Sequence, residues 1–340
     1  MKIRFLFFLC ATFLTHLAYA VNGYVSNPSD NTLTVFDLNS NTVVTTIPVG
    51  DNPTLPAISS DRSKVYITNY NGNTVSVIDA TTNTVATTIP VGTEPVDAAL
   101  SPSGSALYVS NQGDGTVSVI STATHTPVGL IPTGGSPTGL EVLPDGSKLY
   151  VSTAGGATVV VVNTATNGII ATIPVAGTPA ELIASPDGSR VYVANLTMSN
   201  VAVIDTATNT VLTTIPLPDG PIDIAITPDG QRLYAPLTTG SDVAIIDTGT
   251  NALVGTIPTG GTFPGGVAIT PDGSRVYVSV GSTDSVIVIS TATNTVIASF
   301  AVGNGPGGIA VSPIPFVSPT TSLIQALGKK RLIAQKGLYP

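Results

Sequence analysis

The chain has 340 residues, of which 42% are apolar and only 9% are Asp, Glu, Lys or Arg. Charge this sparse excludes a protein built from solvated helices, whose outer faces need Glu and Lys. The apolar content excludes wholesale disorder. The net charge of -8 and the lack of a basic stripe argue against nucleic acid as a partner.

The first part of the chain, residues 1–20, predicts a secretory signal peptide. Two cations precede an apolar run over residues 5–14, and Ala18 and Ala20 mark a cleavage site. No later run approaches the ~18 apolar residues of a membrane span, so we expect an exported chain without a transmembrane segment, either periplasmic or extracellular at the cell surface. The single cysteine, Cys10, would be removed with the signal, which excludes disulfides and thiolate metal sites.

A period of 42 or 43 residues runs through the rest of the chain. Tyrosines and prolines both follow it: Tyr24, Tyr66, Tyr108, Tyr150, Tyr192, Tyr234 and Tyr277, with Pro53, Pro95, Pro137, Pro179, Pro221, Pro264 and Pro306. The one step of 43 comes from an extra residue, Phe263. Seven members in each series predict seven equivalent units.

Each unit contains four short β-branched runs. In the unit that begins at Pro179 they cover residues 180–184, 190–194, 200–205 and 210–215, and turns rich in Pro, Asp, Gly and Asn separate them. Four strands in about 42 residues match the blade of a β-propeller. We therefore predict an all-β fold, a seven-bladed β-propeller of four-stranded antiparallel blades.

The two ends of the repeat predict how the ring closes. After the signal, the chain opens on the Tyr24 strand, and the last unit stops after its first strand at residues 308–312. One blade should combine this C-terminal strand with three N-terminal strands, so that the propeller spans residues 21–313. Residues 314–340 form a basic tail whose apolar spacing predicts either a short amphipathic helix for weak surface association or a frayed end.

The tyrosine strands carry a recognisable motif: YVSN at residues 24–27 and 108–111, YITN at 66–69 and YVAN at 192–195. The chain resembles the YVTN family of bacterial and archaeal β-propeller repeat proteins over most of its length. The resemblance implies the propeller fold and an exported protein of the cell surface or periplasm, linked to surface layers and adhesion. Related propellers include lactonases and the d1-haem domain of nitrite reductases.

Positions shared by most units are assigned to the scaffold. The tyrosines should pack between blades, and His125 replaces an Asn found in the other six units, which predicts a left-handed turn residue and not a catalytic base. The motifs of zinc peptidases, P-loop enzymes and serine hydrolases are missing. These observations favour a non-catalytic scaffold, with a lactonase-like or other metal-assisted hydrolase and an accessory propeller to a periplasmic redox enzyme as alternatives.

Charge is distributed unevenly over the predicted ring. Loops on one face carry acids without any Lys or Arg, and Asp97, Glu181 and Asp223 share the position two residues after the blade proline, with Glu141 nearby. Because hard oxygen ligands suit Ca²⁺, we expect these four carboxylates at the channel mouth to hold Ca²⁺ or another divalent cation, or to attract a basic partner. The alternative is an acidic surface that keeps the protein soluble.

The same face carries bulky residues that do not follow the repeat: Tyr70, Leu196, Met198 and Phe263. Variable loops on a rigid ring are where recognition concentrates. These four residues are therefore candidates for binding an unknown envelope protein or a basic ligand, against the alternative of isolated apolar surface residues.

Overall fold

Seven four-stranded antiparallel sheets, here called blades, form a ring in a computed structural model that describes residues 21–312. The predicted signal peptide and the tail at residues 314–340 lie outside the described residues. Between residues 21 and 312 there is no α-helix, only three short 3-10 turns at Pro28–Asp30, Ala154–Gly156 and Gly281–Thr283. None of these is long and apolar enough to cross a bilayer.

The strands follow the predicted spacing closely. In chain order they are β1 (Asn22–Asn27), β2 (Thr32–Asp37), β3 (Thr42–Pro48), β4 (Pro53–Ile58), β5 (Lys64–Asn69), β6 (Thr74–Asp79), β7 (Thr84–Pro90), β8 (Pro95–Leu100), β9 (Ala106–Asn111), β10 (Thr116–Ser121), β11 (Thr126–Pro132), β12 (Pro137–Val142), β13 (Lys148–Thr153), β14 (Thr158–Asn163), β15 (Gly168–Pro174), β16 (Pro179–Ala184), β17 (Arg190–Asn195), β18 (Asn200–Asp205), β19 (Thr210–Pro216), β20 (Ala225–Ile226), β21 (Arg232–Pro236), β22 (Asp242–Asp247), β23 (Ala252–Pro258), β24 (Pro264–Ile269), β25 (Arg275–Val280), β26 (Ser285–Ser290), β27 (Thr295–Ala301) and β28 (Ile309–Val311). Blade 1 has the order β28, β1, β2, β3, and each later blade takes the next four strands in sequence, from β4 to β27.

Left-handed residues close the turns between the third and fourth strands of each blade. His125 has φ 55°, and its ring lies 6.2 Å from that of Tyr66 in the preceding blade. The other six blades place Asn in this conformation: Asn41, Asn83, Asn167, Asn209, Asn251 and Asn294. Asn tolerates positive φ better than most residues, so the prediction for His125 as a turn residue is confirmed.

The repeat tyrosines are buried between blades, as predicted, and seven apolar clusters fill the spaces between neighbouring blades. The hydroxyl of Tyr150 donates to Oδ1 of Asn209 at 2.9 Å, and that of Tyr277 donates to Oδ1 of Asn41 at 2.8 Å. Each of these bonds joins one blade to a turn of the next. The tyrosines therefore belong to the scaffold.

The ring closes as the sequence predicts, through β28 and β1. Tyr24 pairs with Ala310 in antiparallel register. The Ser312 amide and hydroxyl both donate to the carbonyl of Asn22, at 2.9 and 2.7 Å. One short strand from the end of the described chain therefore joins the two ends of the ring.

The regular repeat predicts a full first strand in every blade. Blade 6 departs from this prediction. Its first strand, β20, has only two residues, with one isolated bridge between Pro221 and Leu237 upstream. In blade 1 the equivalent residue is Ser26, whose N–H donates to the carbonyl of Gly308 just before β28. Blade 6 has Pro236 at this position. Because proline has no N–H, this link is missing and the segment before β20 leaves the sheet.

Candidate functional site

A cavity of about 430 Å³ lies on the axis of the ring and receives residues from all seven blades. Tyr70, Gln112 and Leu196 contribute to it from the loops that follow second strands, and the hydroxyl of Tyr70 donates to Oε1 of Gln112 at 3.1 Å. The first strands contribute Glu181 and, just before β20, Asp223. The lining of the cavity is thus largely apolar and includes two carboxyl groups.

One position of the repeat determines the shape of this cavity. It is the second residue after the blade proline, and its members are Leu55, Asp97, Gly139, Glu181, Asp223, Gly266 and Gly308. A Cβ at Gly139 would lie 2.7 Å from the Ala180 carbonyl, and a Cβ at Gly266 only 2.5 Å from the Gly307 carbonyl. Glycine is required there because the next blade's first strand approaches so closely. The four larger side chains share the remaining space.

Two of the carboxyl groups bridge neighbouring blades. Asp97 accepts the N–H of Ala98 in its own strand at 2.7 Å, and its other oxygen accepts the N–H of Leu140 in the next blade at 2.8 Å. Asp223 repeats the arrangement with Ile224 at 2.7 Å and Val267 at 2.8 Å. Both oxygens of each side chain are therefore bonded to backbone donors.

Glu141 forms a third bridge of this kind from a different position of the repeat. Its Oε1 accepts the N–H of Ala184 in the next blade at 3.0 Å. Side chains this long reach across the gap between first strands, where an unpaired buried N–H would otherwise destabilise the ring.

Burial controls the ionisation of these groups. It raises the pKa of Glu141 to about 8 and that of Asp223 to about 7, and the charge of Asp97 adds to both shifts. Asp97 and Glu181 share a hydrogen bond, and burial raises the pKa of both, that of Glu181 well above its ordinary value. Glu181 and Asp223 line the cavity, whereas Asp97 and Glu141 lie outside its lining. In all four, desolvation favours the protonated form over the carboxylate.

This arrangement differs from the predicted ring of free carboxylates. Within residues 21–312 no group of three or more His, Cys, Asp or Glu side chains could hold a metal ion. Asp97, Glu141 and Asp223 accept backbone N–H groups instead, and desolvation disfavours the ionised carboxylates that a cation would need. A divalent cation at Asp97, Glu141, Glu181 and Asp223 thus stays a prediction without geometric support.

Acids in the loops of the same face have a structural role as well. Asp114 accepts the N–H of Thr93 at 2.6 Å, and Asp30 accepts the N–H of Asn304 at 2.7 Å. These bonds lower the pKa of both carboxyl groups. Asp30 and Asp114 therefore fasten the loops between blades to the blades that follow.

Comparison with known proteins bears on the fold. No protein-family model matches the chain, and no curated protein matches its sequence. A functionally unknown protein from Desulfotomaculum acetoxidans superposes with a TM-score of 0.77 at 18% identity, over 86% of this chain and 99% of that one. A candidate 6-phosphogluconolactonase from Bacteroides fragilis gives 0.74 at 19% identity, over 87% and 99% of the two chains.

Hydrazine synthase from Kuenenia stuttgartiensis is similar as well, with a TM-score of 0.69 at 22% identity, over 77% of this chain and 92% of that one. The chain is a seven-bladed β-propeller. At these identities the likeness shows the fold alone.

The propeller brings only some of the sequence-predicted binding residues together. Tyr70 and Leu196 line the axial cavity. Met198 and Phe263 are exposed by 51% and 61% and lie outside its lining. Two of the four candidates therefore border a concave site, and the other two lie on the open surface.

Sequence reasoning missed a row of hydroxyl groups beside the first strands. Ser110 accepts the N–H of Asp97 at 3.0 Å and donates to the carbonyl of Thr138 in the next blade at 2.6 Å. Ser279 does the same with Gly266 and Gly307, at 2.8 and 2.7 Å. The signal was present as a Ser or Thr directly before the motif Asn position in five of the seven units.

Proposed function

We propose that this propeller is an exported, non-catalytic protein of the YVTN type that binds a small organic cation in its axial cavity. The axial cavity is the observation that carries the proposal. Residues from all seven blades form its largely apolar lining, which includes the carboxyl groups of Glu181 and Asp223. The strand motifs YVSN, YITN and YVAN support the family, and the segment at residues 1–20 supports export.

The chemistry of the lining favours a cation with an apolar body. Leu55, Leu196 and Ile222 offer apolar contact, and the ring of Tyr70 offers a π face. Among the described residues, no Lys, Arg or His lines the cavity to pair with its carboxyl groups. An entering ammonium group supplies the missing positive charge, so the ionised forms of Glu181 and Asp223 become favourable and protons are released.

Calorimetry tests this directly. We expect n-hexylamine to bind the purified chain and n-hexanol, of the same length but neutral, to bind at least tenfold more weakly. Near pH 7, the measured heat of amine binding should change with the ionisation enthalpy of the buffer, because binding releases protons. A double variant, Glu181→Gln with Asp223→Asn, should lose both the preference and the proton release.

Asp51→Asn is the matched control, since it removes an exposed acid from the same face without touching the cavity lining. Equal binding of amine and alcohol, or an unchanged preference in the double variant, contradicts the proposal. CaCl₂ in the same assay tests the divalent-ion prediction: a saturable Ca²⁺ signal lost in Glu181→Gln would assign the site to a metal instead.

One observation favours a second candidate, a lactonase-like hydrolase. The hydrogen-bonded pair of Asp97 and Glu181, with raised pKa values, resembles a general acid next to a carboxylate. An assay with a simple δ-lactone separates the two functions. Turnover that disappears in Glu181→Gln supports the hydrolase, whereas amine binding without turnover supports the binding protein.

A further inference from the structure

The fourth strand of every blade forms the perimeter of the propeller and carries no charge. The seven strands are β3, β7, β11, β15, β19, β23 and β27, and none contains Asp, Glu, Lys, Arg or His. Each stands at the end of its sheet, with one strand neighbour. Edge strands are commonly protected by charged residues, especially Lys; these lack that protection.

Each of these strands contains a β-bulge at the same point. The register against the third strand shifts by one residue in all seven blades. The extra residues, which we call the bulge ring, are Val44, Ala86, Val128, Ile170, Leu212, Val254 and Ile297. Six of the seven are large and apolar, and their exposed fractions lie between 49% and 65%.

The bulge and its side chain have different consequences. A bulge bends an edge strand and hinders continuous ladder pairing with another chain. Any residue that tolerates the local backbone would serve that purpose. The same strands also expose further large apolar residues, namely Val43, Val85, Leu130, Ile169 and Val296. The exposed Val, Ile and Leu side chains instead give the perimeter a repeated apolar contact, and large exposed apolar surface commonly marks an interaction site.

The charge distribution indicates what covers this surface. The two faces carry the charges of the described chain, such as Lys64 with Asp79 on one face and Asp30, Glu94 and Asp114 on the other. Two copies of an acidic propeller repel each other face to face. Copies that meet at their uncharged perimeters keep these charged faces apart, so the repulsion between them is weakest there.

We propose that copies of this propeller associate side by side through the bulge ring. The perimeter strand of one blade is about 24 Å long, and it offers less than the ~800 Å² per partner of a standard interface. Association through one or two blades is therefore weak and concentration-dependent. Because the contact recurs around the perimeter, one copy can bind more than one neighbour.

Sedimentation velocity of the purified chain between about 1 µM and 1 mM tests the proposal. We expect the weight-average sedimentation coefficient to rise with concentration, and to rise further in high salt, which screens the repulsion between acidic copies. A sixfold variant of the bulge ring should show a clearly smaller rise than the unmodified chain: Val44→Ser, Val128→Ser, Ile170→Ser, Leu212→Ser, Val254→Ser and Ile297→Ser.

A matched variant changes exposed threonines on the same strands and should associate like the unmodified chain: Thr46→Ser, Thr88→Ser, Thr172→Ser, Thr214→Ser and Thr256→Ser. Thermal unfolding confirms that both variants fold, because all substituted side chains are exposed. An unmodified chain that stays monomeric over the whole range overturns the inference. So does a sixfold variant that associates as strongly as the unmodified chain.

Discussion

The pKa values of acidic residues are shifted in opposite directions in two environments of this propeller. In the turns, hydrogen bonds led by that from Ser185 lower the pKa of Asp187 to about 2. At the axis, burial raises the pKa of Asp223 to about 7, although the side chain also accepts two backbone N–H groups. Desolvation outweighs hydrogen bonding at the axis, and hydrogen bonding outweighs desolvation at the surface.

These shifts predict a maximum in stability against pH. A turn acid such as Asp187 contributes stability that is present above 3.8, the ordinary pKa, and is lost as the pH falls to about 2. Asp223 behaves in the opposite way, because its folded-state pKa of about 7 lies above the ordinary value of 3.8. Its contribution to stability is therefore fully present below pH 3.8 and is lost as the pH rises to about 7. The free energy of unfolding should therefore be greatest at about pH 4, close to the ordinary pKa of these carboxyl groups.

Denaturant titrations at pH 5 and pH 8 check this expectation. The unmodified chain should be less stable at pH 8, and Asp223→Asn should reduce that difference, whatever its effect on stability at pH 5. Asp51→Asn, on an exposed loop, should leave the difference unchanged. A chain that is equally stable at both pH values would show that the axial carboxyls are not held protonated.

Hydroxyl groups at one position of the second strand link the inner strands of successive blades. Ser110 and Ser279 each accept an N–H from their own blade and donate to a carbonyl of the next. Ser152 occupies the same position and is fully buried, but its hydroxyl has no hydrogen-bond partner. In its blade Thr138 donates to the Pro179 carbonyl of the next blade instead, at 3.2 Å.

This contrast provides a matched pair of substitutions. Ser279→Ala leaves a buried N–H and a partly buried carbonyl without their partner, and should lower the free energy of unfolding by about 1–3 kcal/mol. Ser152→Ala removes a hydroxyl that makes no bond, and should change it by less than about 0.5 kcal/mol or stabilise the fold. Chemical denaturation measures both, and equal losses would refute the proposed role of the hydroxyl row.

At the level of strands and blades, some features could be predicted from the sequence and others could not. Blade number, strand spacing, ring closure and the roles of His125 and the tyrosines follow from the 42-residue period, because repetition distinguishes scaffold from exception. The short first strand of blade 6 was missed, although Pro236 was its visible cause. The ionisation of Asp97 and Glu181 depends on how closely the inner strands converge, and no local pattern contains that distance.

The closure of the whole ring depends on a single short strand. β28 contributes only Ile309–Val311, yet it pairs with β1, and Ile309 is buried in a cluster with Val25 and Phe36 of blade 1 and Tyr277 of blade 7. Without this strand, blade 1 has an open inner edge and the cluster between blades 1 and 7 loses Ile309, so the contact of Phe36 with Tyr277 is left to hold the two blades together. Closure therefore links the stability of all the blades.

Truncation measures this dependence. A chain ending at Gly307 should aggregate or unfold at a clearly lower temperature, because it lacks β28. A chain ending at Pro313 retains every described contact of the ring, and should keep the unfolding temperature of the unmodified chain. If the shorter chain stays monomeric with an unchanged midpoint, closure by β28 is not what holds the ring together.

The extra residue before blade 7 shows how the loops relate to the ring. The loop over residues 259–263 is one residue longer than its counterparts, yet Pro264 pairs with Val280 as Pro179 pairs with Asn195. Phe263, at φ 59° and largely exposed, takes up the added length outside the sheet. Loop length at this point is thus independent of blade geometry, which makes the loop at the exposed Gly260 a suitable place to splice in an epitope tag or a fluorescent reporter.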